Sequence, residues 1–157
     1  MDKPPASIAL EKLNISHQVF RHETNVTSLE QAAAERNQRP EQVVRSILFQ
    51  IRPDEFVMVL VAGPEQVDWR KLRQLVRRSR VRMATEDEVL EVTGYRIGTV
   101  SPFGLKNPVK VLVDASVLNE EEVSLGSGVR SVAIIMKTKD LLAAVGEAEV
   151  VSLLESS

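Results

Sequence analysis

The 157-residue chain predicts a mixed α/β domain whose central sheet is largely antiparallel and flanked by helices. Three observations carry this. Strand-like and helix-like segments alternate, but not as the strict crossover series that builds a doubly wound parallel sheet. The segment "EFVMVLVAG" (55–63) has hardly a polar residue, which suits a strand buried on both faces. From Asp68 onward, Trp69, Leu72, Leu75 and Val76 recur at helical spacing with cations filling the opposite side, the pattern of an amphipathic helix. At this length one domain, residues 1–157, built on a single hydrophobic core is expected.

The remaining elements follow in order. Residues 5–14 have helical composition, and "SHQVFRH" (16–22) reads as a first strand. Thr27 and Glu30 have capping-box spacing, so "TSLEQAAAERN" is a helix ending near Asn37. After Pro40, "QVVRSILFQI" is rich in β-branched and large apolar residues, and the turn signal Arg52-Pro53-Asp54 separates it from the apolar strand. Thr85 and Glu88 repeat the capping-box spacing and open a short helix that stops at Gly94. Next come the loop "GTVSPFG" (98–104), a strand "VKVLVD" (109–114) and a helical or turn segment "ASVLNEEE" (115–122). A second glycine loop "SLGSGVR" (124–130), a strand "SVAIIMK" (131–137), a helix "TKDLLAAVG" (138–146) and an apolar tail (148–154) complete the chain.

Composition excludes several classes of function. The longest apolar run is far short of the roughly 20 residues that cross a bilayer. The N-terminus lacks a basic stretch followed by a long apolar core, so no secretory signal is expected and the cytoplasm is the expected compartment. With no cysteine, disulfides, thiolate zinc sites and cysteine nucleophiles are all excluded. His17 and His22 lie five apart on a predicted strand, hence on opposite faces, so neither a shared metal nor a cofactor is expected. A net charge of −2 argues against a protein held to nucleic acid by its overall field. Yet "RKLRQLVRRSRVR" (70–82) carries seven cations and no anion, and Arg70, Lys71, Arg73, Arg77 and Arg78 are candidate phosphate contacts along an RNA backbone if they stand beside the binding cleft.

Two features could carry chemistry. Strand alternation puts Arg45 on one face with Val43, Ile47, Phe49 and Ile51, all apolar. A guanidinium there pairs with an internal acid such as Asp114, faces a cleft that takes an anionic ligand, or reaches solvent at a rim. The "GTVSPFG" loop is either a connecting turn, with Gly98 and Gly104 at positive φ and Pro102 fixing its own, or a backbone cradle. In the second case its N–H groups and the Ser101 hydroxyl point at a carbonyl or oxyanion. "GSG" (126–128) is a hairpin turn or a second wall of that cleft.

The order of the pieces resembles the YbaK and prolyl-tRNA synthetase editing-domain superfamily. The likeness runs from about residue 8 to 145 through "SLEQAAAE", "QVVRSILF", "VKVLVDASVL", "GSG" and "KDLL", and is densest in "MATEDEVLEVTGYRIGTVSPFG". It implies a single α/β domain that removes wrong amino acids from tRNA, acting in trans. Gly98 and Pro102 match the family's G-x-x-x-P loop, and the resemblance extends substrate contact to Thr99, Val100, Phe103, Gly104, Ser127, Gly128 and His22. It also implies that N–H groups of residues 98–102 stabilise the developing oxyanion, with the terminal ribose hydroxyl or the amino acid itself assisting the attack of water. Its implied partners are the aminoacylated 3′ end of tRNA and a synthetase complex. Arg45 stands where active relatives usually have lysine: it keeps the charge and can grip a phosphate, but is bulkier, planar and no base near neutral pH. That departure sustains an alternative, a module that kept the pocket and lost turnover.

Overall fold

The computed structural model describes residues 3–146 and 148–156. The segment β2 (Val44–Arg52), a tight turn and β3 (Glu55–Ala62) form an antiparallel hairpin, as the turn signal at 52–54 dictates. This hairpin centres a five-stranded sheet of order β4-β2-β3-β5-β8, in which β4 (Arg82–Met83) pairs antiparallel to β2. On the other side β5 (Lys110–Asp114) runs parallel to β3, and β8 (Glu149–Val151) parallel to β5. A second, wholly antiparallel sheet of order β1-β7-β6 joins β1 (Gln18–Arg21), β6 (Glu122–Gly126) and β7 (Val132–Lys137). Antiparallel pairing thus predominates as expected, but it is divided over two sheets. Sequence reading missed β4 and β8, and placed β6 partly in a glycine loop, because "SLG" is strand up to Gly126 and only residues 127–131 form the hairpin connection.

Burial on both faces explains the apolar run of β3. Val44, Leu48, Met58 and Leu60 point into a core shared with Leu125, Ile134 and Leu141, whereas Phe49, Val57, Val59 and Val61 point into a second core with Leu72 and Leu112. The helix α3 (Trp69–Val76) covers the second core, with Leu72 fully buried and Trp69 edge-on to Phe49 at 5.4 Å between ring centroids. Its N-terminus is capped by Asp68, whose carboxylate accepts from the Arg70 and Lys71 amides. Flanking the sheets are α1 (Pro5–Lys12), which starts on proline where a missing N–H costs nothing, and α5 (Thr138–Val145). Among the described residues no helix is long and apolar enough to cross a membrane.

The two predicted capping boxes fare differently. Helix α2 (Leu29–Glu35) is capped by Ser28, which accepts from the Gln31 amide, while Gln31 Oε1 accepts from the Thr27 amide and hydroxyl; the expected Thr27–Glu30 box is therefore shifted by one residue. Helix α4 (Glu86–Thr93) forms the Thr85–Glu88 box and ends at Gly94, in the left-handed region at φ 82°. Glu88 also takes two hydrogen bonds from Arg82, at 2.7 and 2.8 Å. Those bonds first, and the Thr85 amide second, hold its carboxyl down at about 2 from an ordinary value of 4.5. A carboxyl depressed on folding adds stability that is present above its unfolded pKa and lost as pH falls through the folded value. Glu88→Gln should therefore lower the melting temperature at about pH 7, and the gap to the native protein should narrow at about pH 3; an equal gap at both would refute the linkage.

Candidate functional site

A cavity of about 530 Å³ opens between the two sheets. Six consecutive residues of one chain segment, Val43 to Leu48, line it, as only the edge of a strand can. Along this edge β2 bridges to β6 at Val43–Ser124 and meets β4 from Leu48 onward, where the Leu48 carbonyl accepts from the Ala84 amide. Between those points the strand edge faces the cavity. Ser46 lies on this stretch, and its Oγ is buried without a hydrogen-bond partner. The opposite wall is Gly98, Val100, Leu125, Gly126 and the hairpin tip Val129–Val132, with Val89 of α4 and Ala32 and Arg36 of α2 closing the sides.

The "GTVSPFG" loop does form a wall, through its first half only. The Thr99 amide donates to the Arg96 carbonyl, and the Thr99 carbonyl accepts from the Gly128 amide, so the loop is tied to its own start and to the hairpin. No hydrogen bond among the described residues engages the Gly98 or Val100 amide. The second half is anchored inward: Ser101, Pro102 and Phe103 are buried, and the Phe103 carbonyl accepts from Tyr95, whose hydroxyl burial pushes up to about 12. The Ser101 hydroxyl accepts from the Phe103 amide at 3.3 Å and is fully buried, which corrects the expectation that it points at a ligand. Gly104 packs on Tyr95 and Ala9.

The second glycine loop contributes its ends. Ser127 is fully buried, its hydroxyl donating to the Val132 carbonyl at 2.7 Å, and Gly128 lies so close to Tyr95 that a Cβ would stand 2.7 Å from the ring. Neither lines the cavity; Gly126 and Val129 do. Gly126 matters most, because an added Cβ there would lie 2.1 Å from the Val100 carbonyl oxygen and 2.8 Å from that of Thr99. The two glycine segments are in backbone contact.

Arg45 is on the predicted face, that of Ile47, Phe49 and Ile51, which is the face covered by α3 and turned from the cavity. Its guanidinium donates to the main-chain carbonyls of Gly63, at 2.9 Å, and Glu65. Burial lowers its pKa. Asp114 is not its partner: that carboxylate accepts from the Ser116 and Leu153 amides. Neither Gly63 nor Glu65 lines the cavity, whereas Arg45 itself does. Arg70, Lys71, Arg73, Arg77 and Arg78 belong to α3 and its C-terminal turn, on the same far face, and none lines the cavity.

Besides Arg45, the cations that line the cavity are Arg130, exposed on the hairpin, and Arg36, half-buried at the C-terminal end of α2. Arg36 donates through Nε to His22 Nε2 at 3.0 Å and through Nη1 to the Ser124 hydroxyl at 2.9 Å. Burial, opposed by the charge of Glu35, pushes its pKa down to about 10. Since Nε2 of His22 accepts, its ring proton sits on Nδ1 and donates to Glu35 Oε1 at 2.7 Å. That bond, followed by one from Gln31, holds the Glu35 carboxyl below its ordinary value. His22 thus stands behind Arg36 without lining the cavity. Sequence reading missed Arg36, whose partners lie 14 and 88 positions away. Among the described residues no group of three or more acidic or histidine side chains could hold a metal.

Fold and cavity together define a small α/β binding domain whose pocket is walled by a strand edge and backbone amides. The chain belongs to the aminoacyl-tRNA editing domain family, whose model matches residues 23–144. It is 33% identical over 128 residues to the uncharacterised protein YwhH of Bacillus subtilis, covering 82% of this chain and 81% of that one. To the proline–tRNA ligase of Halalkalibacterium halodurans it is 39% identical over 84 residues, which is 53% of this chain but only 14% of that enzyme. A solved structure described as a candidate trans-editing enzyme for prolyl tRNA synthetase superposes with a TM-score of 0.89 at 30% identity, over 99% of both chains.

Proposed function

We propose that the protein is a trans-acting aminoacyl-tRNA deacylase that hydrolyses the ester of mischarged tRNA. The observation that carries this reading is the cavity of about 530 Å³ flanked by the Gly98 and Val100 amides, in a chain of the editing-domain family. The likeness over 99% of a chain described as a candidate trans-editing enzyme for prolyl tRNA synthetase supports action in trans. In the proposed reaction water attacks the ester carbonyl, and the Gly98 and Val100 amides stabilise the oxyanion that develops. The bond to the ribose oxygen then breaks, that oxygen takes the proton, and the amino acid leaves as a free acid. The terminal ribose hydroxyl assists the water. Arg45 is a positioning residue in this scheme, fixing the Gly63–Glu65 loop against the back of the strand edge.

The test is loss of the aminoacyl bond from a panel of correctly and incorrectly charged tRNAs, with Arg45→Lys and Arg45→Ala variants alongside. The expected result is hydrolysis of a mischarged species, with Arg45→Ala losing rate about tenfold or more together with about 2 kcal/mol of stability as two carbonyls lose their charged donor. No hydrolysis by the native protein, with a gain in Arg45→Lys, would instead establish the second reading, a tRNA-end binding module without turnover. The engagement of Arg45 with main-chain carbonyls is the observation that favours it.

A further inference from the structure

Ser46, in the cavity wall, has no partner for any of its hydrogen-bonding groups. In β2, Val43 gives its carbonyl to the Gly63 amide on the β3 side, while Leu48 gives its own to the Ala84 amide on the opposite side. Alternation therefore turns the main-chain groups of Val43, Arg45 and Ile47 toward β3, and those of Val44, Ser46 and Leu48 toward the cavity edge. The Val44–Ala62 pair agrees, since the Ala62 amide donates to the Ser116 hydroxyl instead. Leu48 is bonded to Ala84, and Val44 follows the bridge from Val43 to Ser124, which leaves Ser46 in the gap between them. Among the described residues neither its N–H nor its carbonyl meets a hydrogen-bond partner, and its Oγ is buried without one. A ligand that pairs such groups removes a penalty that the free protein carries.

The pattern of the free groups decides the ligand. A strand residue in this orientation exchanges two bonds with whatever lies opposite, giving its N–H to one acceptor and its carbonyl to one donor. With β6 bridging at one end of the gap and β4 pairing at the other, there is no room for an added peptide strand, which needs several such residues in line. The gap fits one compact group that carries a donor beside an acceptor. Around it the lining includes Leu29, Leu48, Val89, Ile97, Val100 and Leu125, which suits the faces of a flat ring. At the aminoacylated end of a tRNA the adenine base is such a group: its 6-amino group donates and the ring nitrogen beside it accepts.

We propose that the main chain of Ser46 reads the adenine of the nucleoside that carries the ester, its carbonyl accepting from the 6-amino group and its N–H donating to the adjacent ring nitrogen. This deepens the deacylase reading and rests on it: the ester lies against the Gly98–Val100 wall, and the base against the strand edge opposite. A purine with a carbonyl at position 6 sets an acceptor against the Ser46 carbonyl and is rejected, because two acceptors form no bond.

Binding is read apart from turnover with alanine amide-linked to 3′-amino-3′-deoxyadenosine, beside the same compound with hydrogen in place of the 6-amino group. By calorimetry the native protein should bind the first about tenfold or more tighter. Ser46→Ala keeps both main-chain groups and should keep that preference. Ser46→Pro removes the N–H at a position the sheet does not use, where proline is tolerated, and should weaken both compounds about tenfold with near-native melting. Residue-resolved hydrogen exchange makes the same test on the native protein: the adenine compound should slow the Ser46 amide more than those of Arg45 and Ile47, which face β3. Equal affinity for the two compounds would overturn the proposal, as would a preference lost in Ser46→Ala, native binding by a folded Ser46→Pro, or a Ser46 amide indifferent to the ligand. If the 6-amino group makes no difference but asparagine in place of alanine binds tighter, the edge reads the acyl side chain and the base assignment is refuted. The deacylation panel separates the two readings. A 6-amino preference without hydrolysis removes the enzyme and keeps the base reading, and hydrolysis indifferent to purine riboside in place of the terminal adenosine does the reverse.

Discussion

Asp114→Ala is expected to destabilise the protein by about 3 kcal/mol, read by urea unfolding. The residue is 2% exposed and ends β5. Its two oxygens accept from different amides, Oδ1 from Leu153 at 2.7 Å and Oδ2 from Ser116 at 2.9 Å. The first bond ties the C-terminal segment, with Leu153 and Leu154 both buried, to the sheet; the second starts the 3-10 turn Ala115–Asn119. Alanine leaves both amides unpaired, the Leu153 one in a buried setting, and each orphaned donor costs about 1–3 kcal/mol. Asn has one acceptor oxygen and presents an NH₂ to the other amide, so Asp114→Asn should recover about half the loss or less. Equal midpoints for the two variants, both near native, would show that water replaces the carboxylate and that the C-terminal segment is held by its leucines alone.

The same residue marks how far the sequence could be read. Locally encoded features were legible: the Thr85–Glu88 box, the Gly94 stop, the doubly buried β3 and the apolar stripe of α3 each follow from spacing within one element. Consecutive hydroxyls at Thr27 and Ser28, followed three positions on by Glu30 and Gln31, offer two registers for the same capping pattern, and tertiary structure selects the second. The three-residue strand β8 carries no local signal, because its pairing with β5 is fixed by tertiary contacts that include the Asp114–Leu153 bond. For Arg45, alternation named the correct face, but a sequence cannot show that the partners are two carbonyls 18 and 20 positions away. The cavity itself was half legible. Gly98 and Val100 stand in a recognisable loop, whereas Arg36 and Ser46 are ordinary surface-type residues until three elements converge on them.

Gly126→Ala should be the most damaging single methyl in the cavity wall. Glycine is needed there for close approach, not for a positive φ: the added Cβ would meet the Val100 oxygen at 2.1 Å and the Val100 carbon at 2.9 Å. Both are backbone, so no side chain can rotate away, and either β6 or the loop must shift by about 1 Å. Overpacking of this kind costs about 3 kcal/mol. A displacement of about that size in the groups that position the ester costs about a hundredfold in rate. Gly98→Ala is the informative contrast. Its Cβ would enter open space, but at φ 87° the backbone is strained by about 1 kcal/mol, with the opposite wall untouched. Thermal melts and single-turnover deacylation of both variants should therefore rank Gly126→Ala well below Gly98→Ala on each axis. If Gly126→Ala melts and turns over like the native protein, the apposition of the two glycine segments is not what shapes the pocket, and the loop's position must be set from the Tyr95 side alone.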